Sequence, residues 1–71
     1  MIKVYIQTNS NGEVININSS VFLLDTFGWL QIDEGEGDKY AHAQSNYLKK
    51  PIINESGKHN YRYYLGKIVE I

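Results

Sequence analysis

Cysteine is absent, and that removes two common supports of a small fold. No disulfide can staple the chain, and no thiolate can hold a structural zinc. The lack of cysteine fits a cytoplasmic setting. Proline occurs once and alanine twice, while asparagine, isoleucine and tyrosine are plentiful. That balance favours strands and turns over helices. No apolar run approaches the roughly 20 residues that cross a bilayer, so no membrane partner is expected. A basic excess is missing too: seven Lys and Arg stand against eight Asp and Glu, for a net charge of −1. Without a basic stripe to track phosphates, no nucleic acid partner is expected. The opening Met1-Ile2-Lys3-Val4-Tyr5-Ile6 has no apolar signal region and no small-residue cleavage site, so export by that route is not expected.

What is present reads as one small β-rich domain over residues 1–71. A chain of this length buries only about 60% of its unfolded surface, so its own core is marginal. With disulfides and a cysteine metal site excluded, self-association or docking on a partner is the expected further source of stability.

Ile2–Thr8 alternates strictly, with Ile2, Val4 and Ile6 on one face and Lys3, Tyr5 and Gln7 on the other, and predicts a strand. Asn9-Ser10-Asn11-Gly12 predicts the turn. Glu13–Asn18 predicts the return strand, Ile15 and Ile17 on one face, Val14, Asn16 and Asn18 on the other. Val21-Phe22-Leu23-Leu24 reads as core packing across this hairpin. After a turn at Asp25–Gly28, Trp29–Asp33 predicts a third strand, with Leu30 and Ile32 opposed to Trp29, Gln31 and Asp33. Asp33–Asp38 reads as an acidic, glycine-rich loop. Residues 40–47 have room for one short helical turn, with Asp38 as its cap and Lys49-Lys50-Pro51 as its end. Pro51–Asn54 reads as a short edge strand, followed by a turn at Asn54–Gly57. His59–Leu65 and Lys67–Ile71 predict a second hairpin around Gly66. Tyr61, Tyr63 and Leu65 share one face there, and Arg62 and Tyr64 the other. The fold class is therefore mainly β: two hairpins, a central strand, an acidic loop and at most one helical turn.

Four groups of residues can carry function. Asp33, Glu34, Glu36 and Asp38 offer oxygen ligands for a hard cation, but their spacing does not match a helix–loop–helix calcium loop. The plain reading is a solvated turn. His42 lies near Asp38 and Glu36, yet no nucleophile accompanies it, so it reads as a residue that fixes the loop. Gln44, Asn46 and Asn60, with Tyr40 and Tyr47, either satisfy loop backbone or form a recognition surface for sugar or protein. Trp29, Tyr61, Tyr63 and Tyr64, with Tyr5, read as core or interface, because tyrosine joins apolar area to a polar tip.

The block Gly28-Trp29-Leu30-Gln31-Ile32-Asp33-Glu34-Gly35-Glu36-Gly37-Asp38-Lys39-Tyr40-Ala41-His42-Ala43-Gln44-Ser45-Asn46-Tyr47-Leu48, followed by Lys50-Pro51, Asn60-Tyr61-Arg62-Tyr63 and Gly66-Lys67-Ile68-Val69-Glu70, resembles short phage and prophage proteins of Gram-positive bacteria encoded near tail genes. The likeness spans Gly28 to Ile71. It departs at Leu65, where Asp or Asn would suit a tight turn better. The resemblance implies a phage context, a place in the virion tail or in the host cytoplasm during assembly, and phage structural proteins or further copies as partners. It implies no catalytic residue, and no cofactor or metal is expected.

The sequence thus points to a non-catalytic structural or interaction module. Trp29, Tyr40, His42, Gln44, Asn46, Tyr47, Tyr61, Tyr63 and Tyr64 are its candidate contact residues. The alternative is a carbohydrate or cell-wall-binding module using Tyr40, Gln44, Asn46 and Tyr47.

Overall fold

The alternation of Ile2, Val4 and Ile6 does make a strand, and that strand becomes the middle of the main sheet. The computed structural model describes all residues, Met1–Ile71. Strand β1, Ile2–Thr8, pairs antiparallel with β2, Val14–Ser19, on one side. It pairs antiparallel with β3, Leu30–Gly35, on the other, for a strand order β2-β1-β3. The strand that lies central in the sequence is thus an edge strand in space. Both neighbours run opposite to β1, so β2 and β3 are parallel to each other, and Ser20–Trp29 is the crossover between them.

Each flanking strand carries one extra isoleucine. On β2, Gln7 faces Asn16 and Thr8 faces Val14, which leaves Ile15 over. On β3, Val4 faces Asp33 and Tyr5 faces Gln31, which leaves Ile32 over. A bulge shifts every later side chain to the other face. Val14 is therefore buried with Ile17, and Ile15 is exposed. Likewise Asp33 joins Val4 on the covered face instead of pointing away with Gln31. Simple alternation assigns both faces wrongly at these two points.

The covered face holds Val4, Ile6, Val14 and Ile17, and two residues from elsewhere complete the buried cluster: Ala43 and Tyr61. Asp38–Ala41 (α1) and Ala43–Asn46 (α2) are two single helical turns broken at His42. The first is capped by Gly37, with no side-chain cap, and Asp38 is its first residue, where a carboxylate suits the helix dipole. Ser19, fully buried, donates its Oγ hydrogen bond to the Ala41 carbonyl at 2.7 Å and ties this segment to the sheet. Ala43 is small enough to let α2 lie close on β2. Neither helix is long and apolar enough to cross a membrane.

Tyr61–Tyr64 (β4) and Lys67–Glu70 (β5) form the second hairpin, with Tyr64 opposite Lys67. Leu65 and Gly66 are the two turn residues, at φ 49° and 81°. Such a pair of positive φ angles matches the twist of a two-residue hairpin. Leu65 therefore sits in the turn, 82% exposed, and shares no face with Tyr61 and Tyr63. The hairpin meets the main sheet through the Tyr63 N–H, which donates to the Gly12 carbonyl, and a bridge between Glu13 and Arg62. The result is a mainly β fold of five strands in two sheets.

Candidate functional site

The Asp33–Tyr47 region brings together an acid, two phenols and a lysine. Strand β3 extends through Gly35, so Asp33 and Glu34 belong to a strand, and the acidic loop shrinks to Glu36-Gly37 before α1. The strand runs on because Asp33, Glu34 and Gly35 pair with Val4, Lys3 and Ile2 of β1, and Tyr40 packs against Gly35. A Cβ placed on Gly35 would lie 2.6 Å from the Tyr40 ring. The Tyr40 ring meets the Tyr47 ring edge-on, 5.9 Å between centres at 65°. The Tyr47 hydroxyl donates to Asp33 Oδ2 at 2.7 Å. Lys39 Nζ lies 5.7 Å from the Tyr40 ring centre and 5.1 Å from that of Tyr47, in reach of both faces. Burial, reinforced by the hydrogen bond to the Asp33 carboxylate and its charge, holds the Tyr47 phenol above its ordinary pKa. The arrangement locks α2 to β3. The phenol proton is already engaged by Asp33.

The remaining carboxylates stay apart. Glu34, Glu36 and Asp38 are exposed, and no three His, Asp or Glu side chains gather as a metal ion would need. His42 Nδ1 stands 4.0 Å from Asp38 Oδ1 on the surface, and its ring lies 5.6 Å from that of Phe22. The other histidine is drawn elsewhere: His59 Nε2 is 3.8 Å from Glu13 Oε1. Three shallow hollows of about 220, 240 and 290 Å³ mark the surface, all below the usual size of ligand pockets. His42 lines none of them.

The candidate contact residues divide sharply. Tyr61 is 4% exposed and belongs to the core, where its hydroxyl accepts the Lys50 N–H at 3.1 Å. This corrects its reading as a contact residue: only its tip has a polar partner, and that partner is internal. Tyr40, Tyr47 and Tyr63 are half-buried and pack against the core. Trp29 is half-buried outside that cluster. His42, Gln44 and Asn46 are exposed on the helical segment. Tyr64 is exposed, with the Arg62 guanidinium 5.3 Å from its ring centre. The tyrosines do not form one outer patch.

The largest apolar exposure lies where core packing was expected. Val21, Phe22, Leu24, Phe27 and Leu30, in and beside the crossover, are all exposed. One signal was available: Val21-Phe22-Leu23-Leu24 shows no regular period of its own. No protein-family model, curated protein or solved structure gives a significant match to this chain.

Proposed function

We propose that the chain is a non-catalytic interaction module of a phage or prophage particle, tail-associated and assembled in the host cytoplasm. One observation supports this reading above the others: five large apolar side chains stand exposed along a single ten-residue span, Val21–Leu30. Monomeric soluble proteins rarely leave such patches uncovered, and larger ones mark contact sites. The phage context rests on the sequence likeness of Gly28–Ile71 alone.

Mass spectrometry of purified particles, from a lysogen that encodes the chain, tests the context. Affinity capture with the individual tail proteins tests the docking. Wild type should be found in tails and should retain a tail protein that Phe27→Asp releases. Absence from particles together with no tail partner would sink the reading.

A glycan-binding role is the second reading, and the surface that favours it is not the one the sequence singled out. Tyr40 and Tyr47 are occupied by packing. The uncovered face of the main sheet instead presents Tyr5 beside Gln7, Asn16, Asn18 and Gln31, none of them buried. Asn16 Nδ2 donates to Gln7 Oε1 at 2.8 Å, which leaves both side chains with further polar atoms for sugar hydroxyls. Titration with host-wall polysaccharide should move the amide resonances of Tyr5, Asn16 and Gln31. Unmoved resonances there would end this role.

A further inference from the structure

We infer that the crossover face is the contact surface of a two-fold dimer, its occupant a second copy of this chain. The inference rests on the docking role proposed for that segment and names the partner.

Area is the first argument. Val21 is 53% exposed, Phe22 49%, Leu24 104%, Phe27 90% and Leu30 40%. At about 150–200 Å² for each fully exposed residue of this size, they present roughly 500–670 Å² of surface. In a two-fold contact the same residues are covered on both copies. The total, roughly 1,000–1,300 Å², just reaches what a specific interface needs. Seven of 71 residues are buried within one copy, so a second apolar layer adds a large share to a small core.

Charge is the second argument. Asp25 is the one charged residue between Ser20 and Leu30, and its Oδ1 is engaged by the Phe27 N–H at 3.0 Å. No basic or acidic set on the segment calls for a partner of opposite sign. The chain's net charge of −1 gives little repulsion between copies.

The edges are the third. Self-association of small β proteins commonly runs through strand addition at an open edge. Here both edge strands of the main sheet are bulged, at Ile15 and Ile32, and the end of β3 carries the exposed Glu34. Bulges and charges blunt pairing. With the edges of the main sheet blunted, the side chains of the crossover offer a route that joins copies in pairs.

Sedimentation equilibrium of the pure full chain, from roughly 1 µM to 1 mM, tests this. The mass should rise from 8.2 kDa to twice that value, with a dissociation constant of micromolar order. The double variant Leu24→Asp/Phe27→Asp should keep its circular dichroism and, below the dissociation constant, melt as wild type does, since both side chains are solvated in one copy. It should stay monomeric, with dimerisation at least about tenfold weaker. Tyr64→Asp, exposed on the other sheet, should dimerise as wild type does. A wild-type chain that remains monomeric at the highest concentration overturns the inference. So does a dimer that survives the double substitution, is lost in Tyr64→Asp, or grows beyond two copies. Should that monomer still capture a tail protein through Phe27, the interaction-module reading stands and only the second copy is refuted.

Discussion

Two loops of this chain are built alike, yet they support very different amounts of sheet. In Asn9–Glu13 and in Asn54–Lys58 the asparagine N–H donates to the carbonyl of the fifth residue, and the asparagine carbonyl accepts the glycine N–H. In both, the asparagine Oδ1 accepts the N–H of the third and fifth residues, each at 3.0 Å. The first loop tips a long hairpin. The second closes on one bridge, Ile53 with His59. The flanks make the difference. Val14 and Ile6 beside the first loop are fully buried, whereas Ile53 is exposed. Pro51 has no N–H to extend the second ladder, and its carbonyl is taken by Asn60 Nδ2 at 2.8 Å. Loop shape is thus a local matter, and ladder length is decided by what the strands can bury.

The comparison breaks most visibly at the core. Ile6→Ala should cost about 2–5 kcal/mol, against a total stability of about 4–11 kcal/mol for a chain of this length, while Ile53→Ala should stay within about 0.5 kcal/mol. Thermal melts of the two variants check this, and equal losses would refute the account. At the loops, Asn9→Ala should lower global stability by about 1–2 kcal/mol. Asn54→Ala should move the melting temperature less and show mainly as faster amide exchange at Ser56 and Lys58.

A different kind of lock holds α2 on the same sheet, and it is sensitive to alkali. Tyr47→Phe should cost about 1 kcal/mol at neutral pH. The folded phenol keeps its proton above the value of about 10 at which the unfolded one releases it. Its contribution is therefore complete below about pH 10 and is lost as pH rises from there through the folded pKa. Denaturant titrations across that range should show a steeper loss in wild type than in Tyr47→Phe. The smallest effect runs the other way. Leu65 is the one non-glycine at positive φ, and it is exposed. Leu65→Asn should relieve that strain and gain up to about 1 kcal/mol, read as a higher melting temperature.

Where local chemistry decides, the fold could be read from the residues. Strand β1, both hairpins and the asparagine-led turns follow from alternation and turn residues alone, whereas Leu65, which continues the alternation of Tyr61 and Tyr63, belongs to the turn with Gly66. Three further features do not follow from them. The bulges at Ile15 and Ile32 depend on how each strand fits its neighbour, and nothing in either isoleucine's own sequence marks it. Asp33–Gly35 carries loop composition but is held as strand by its pairing with Ile2, Lys3 and Val4 of β1. The parallel relation of β2 and β3 is a matter of topology. The candidate site fared similarly. Tyr64, His42, Gln44 and Asn46 are exposed, whereas the residues alone read them equally well as core, loop-fixing or contact groups. Tyr61 is buried, and its inward turn depends on a second sheet folding over the first. The apolar crossover was assigned to the interior because a run of that kind normally fills one.

Trp29 stands at the end of the crossover and apart from the packed cluster. It is the only indole in the chain, so the molecule carries separate optical reporters for its two sides. Indole emission follows the solvent around the crossover, while phenol absorbance reports the six tyrosines, four of which, Tyr40, Tyr47, Tyr61 and Tyr63, belong to or pack on the core. Whatever covers the crossover should shift the first signal and leave the second in place; loss of the core should change both.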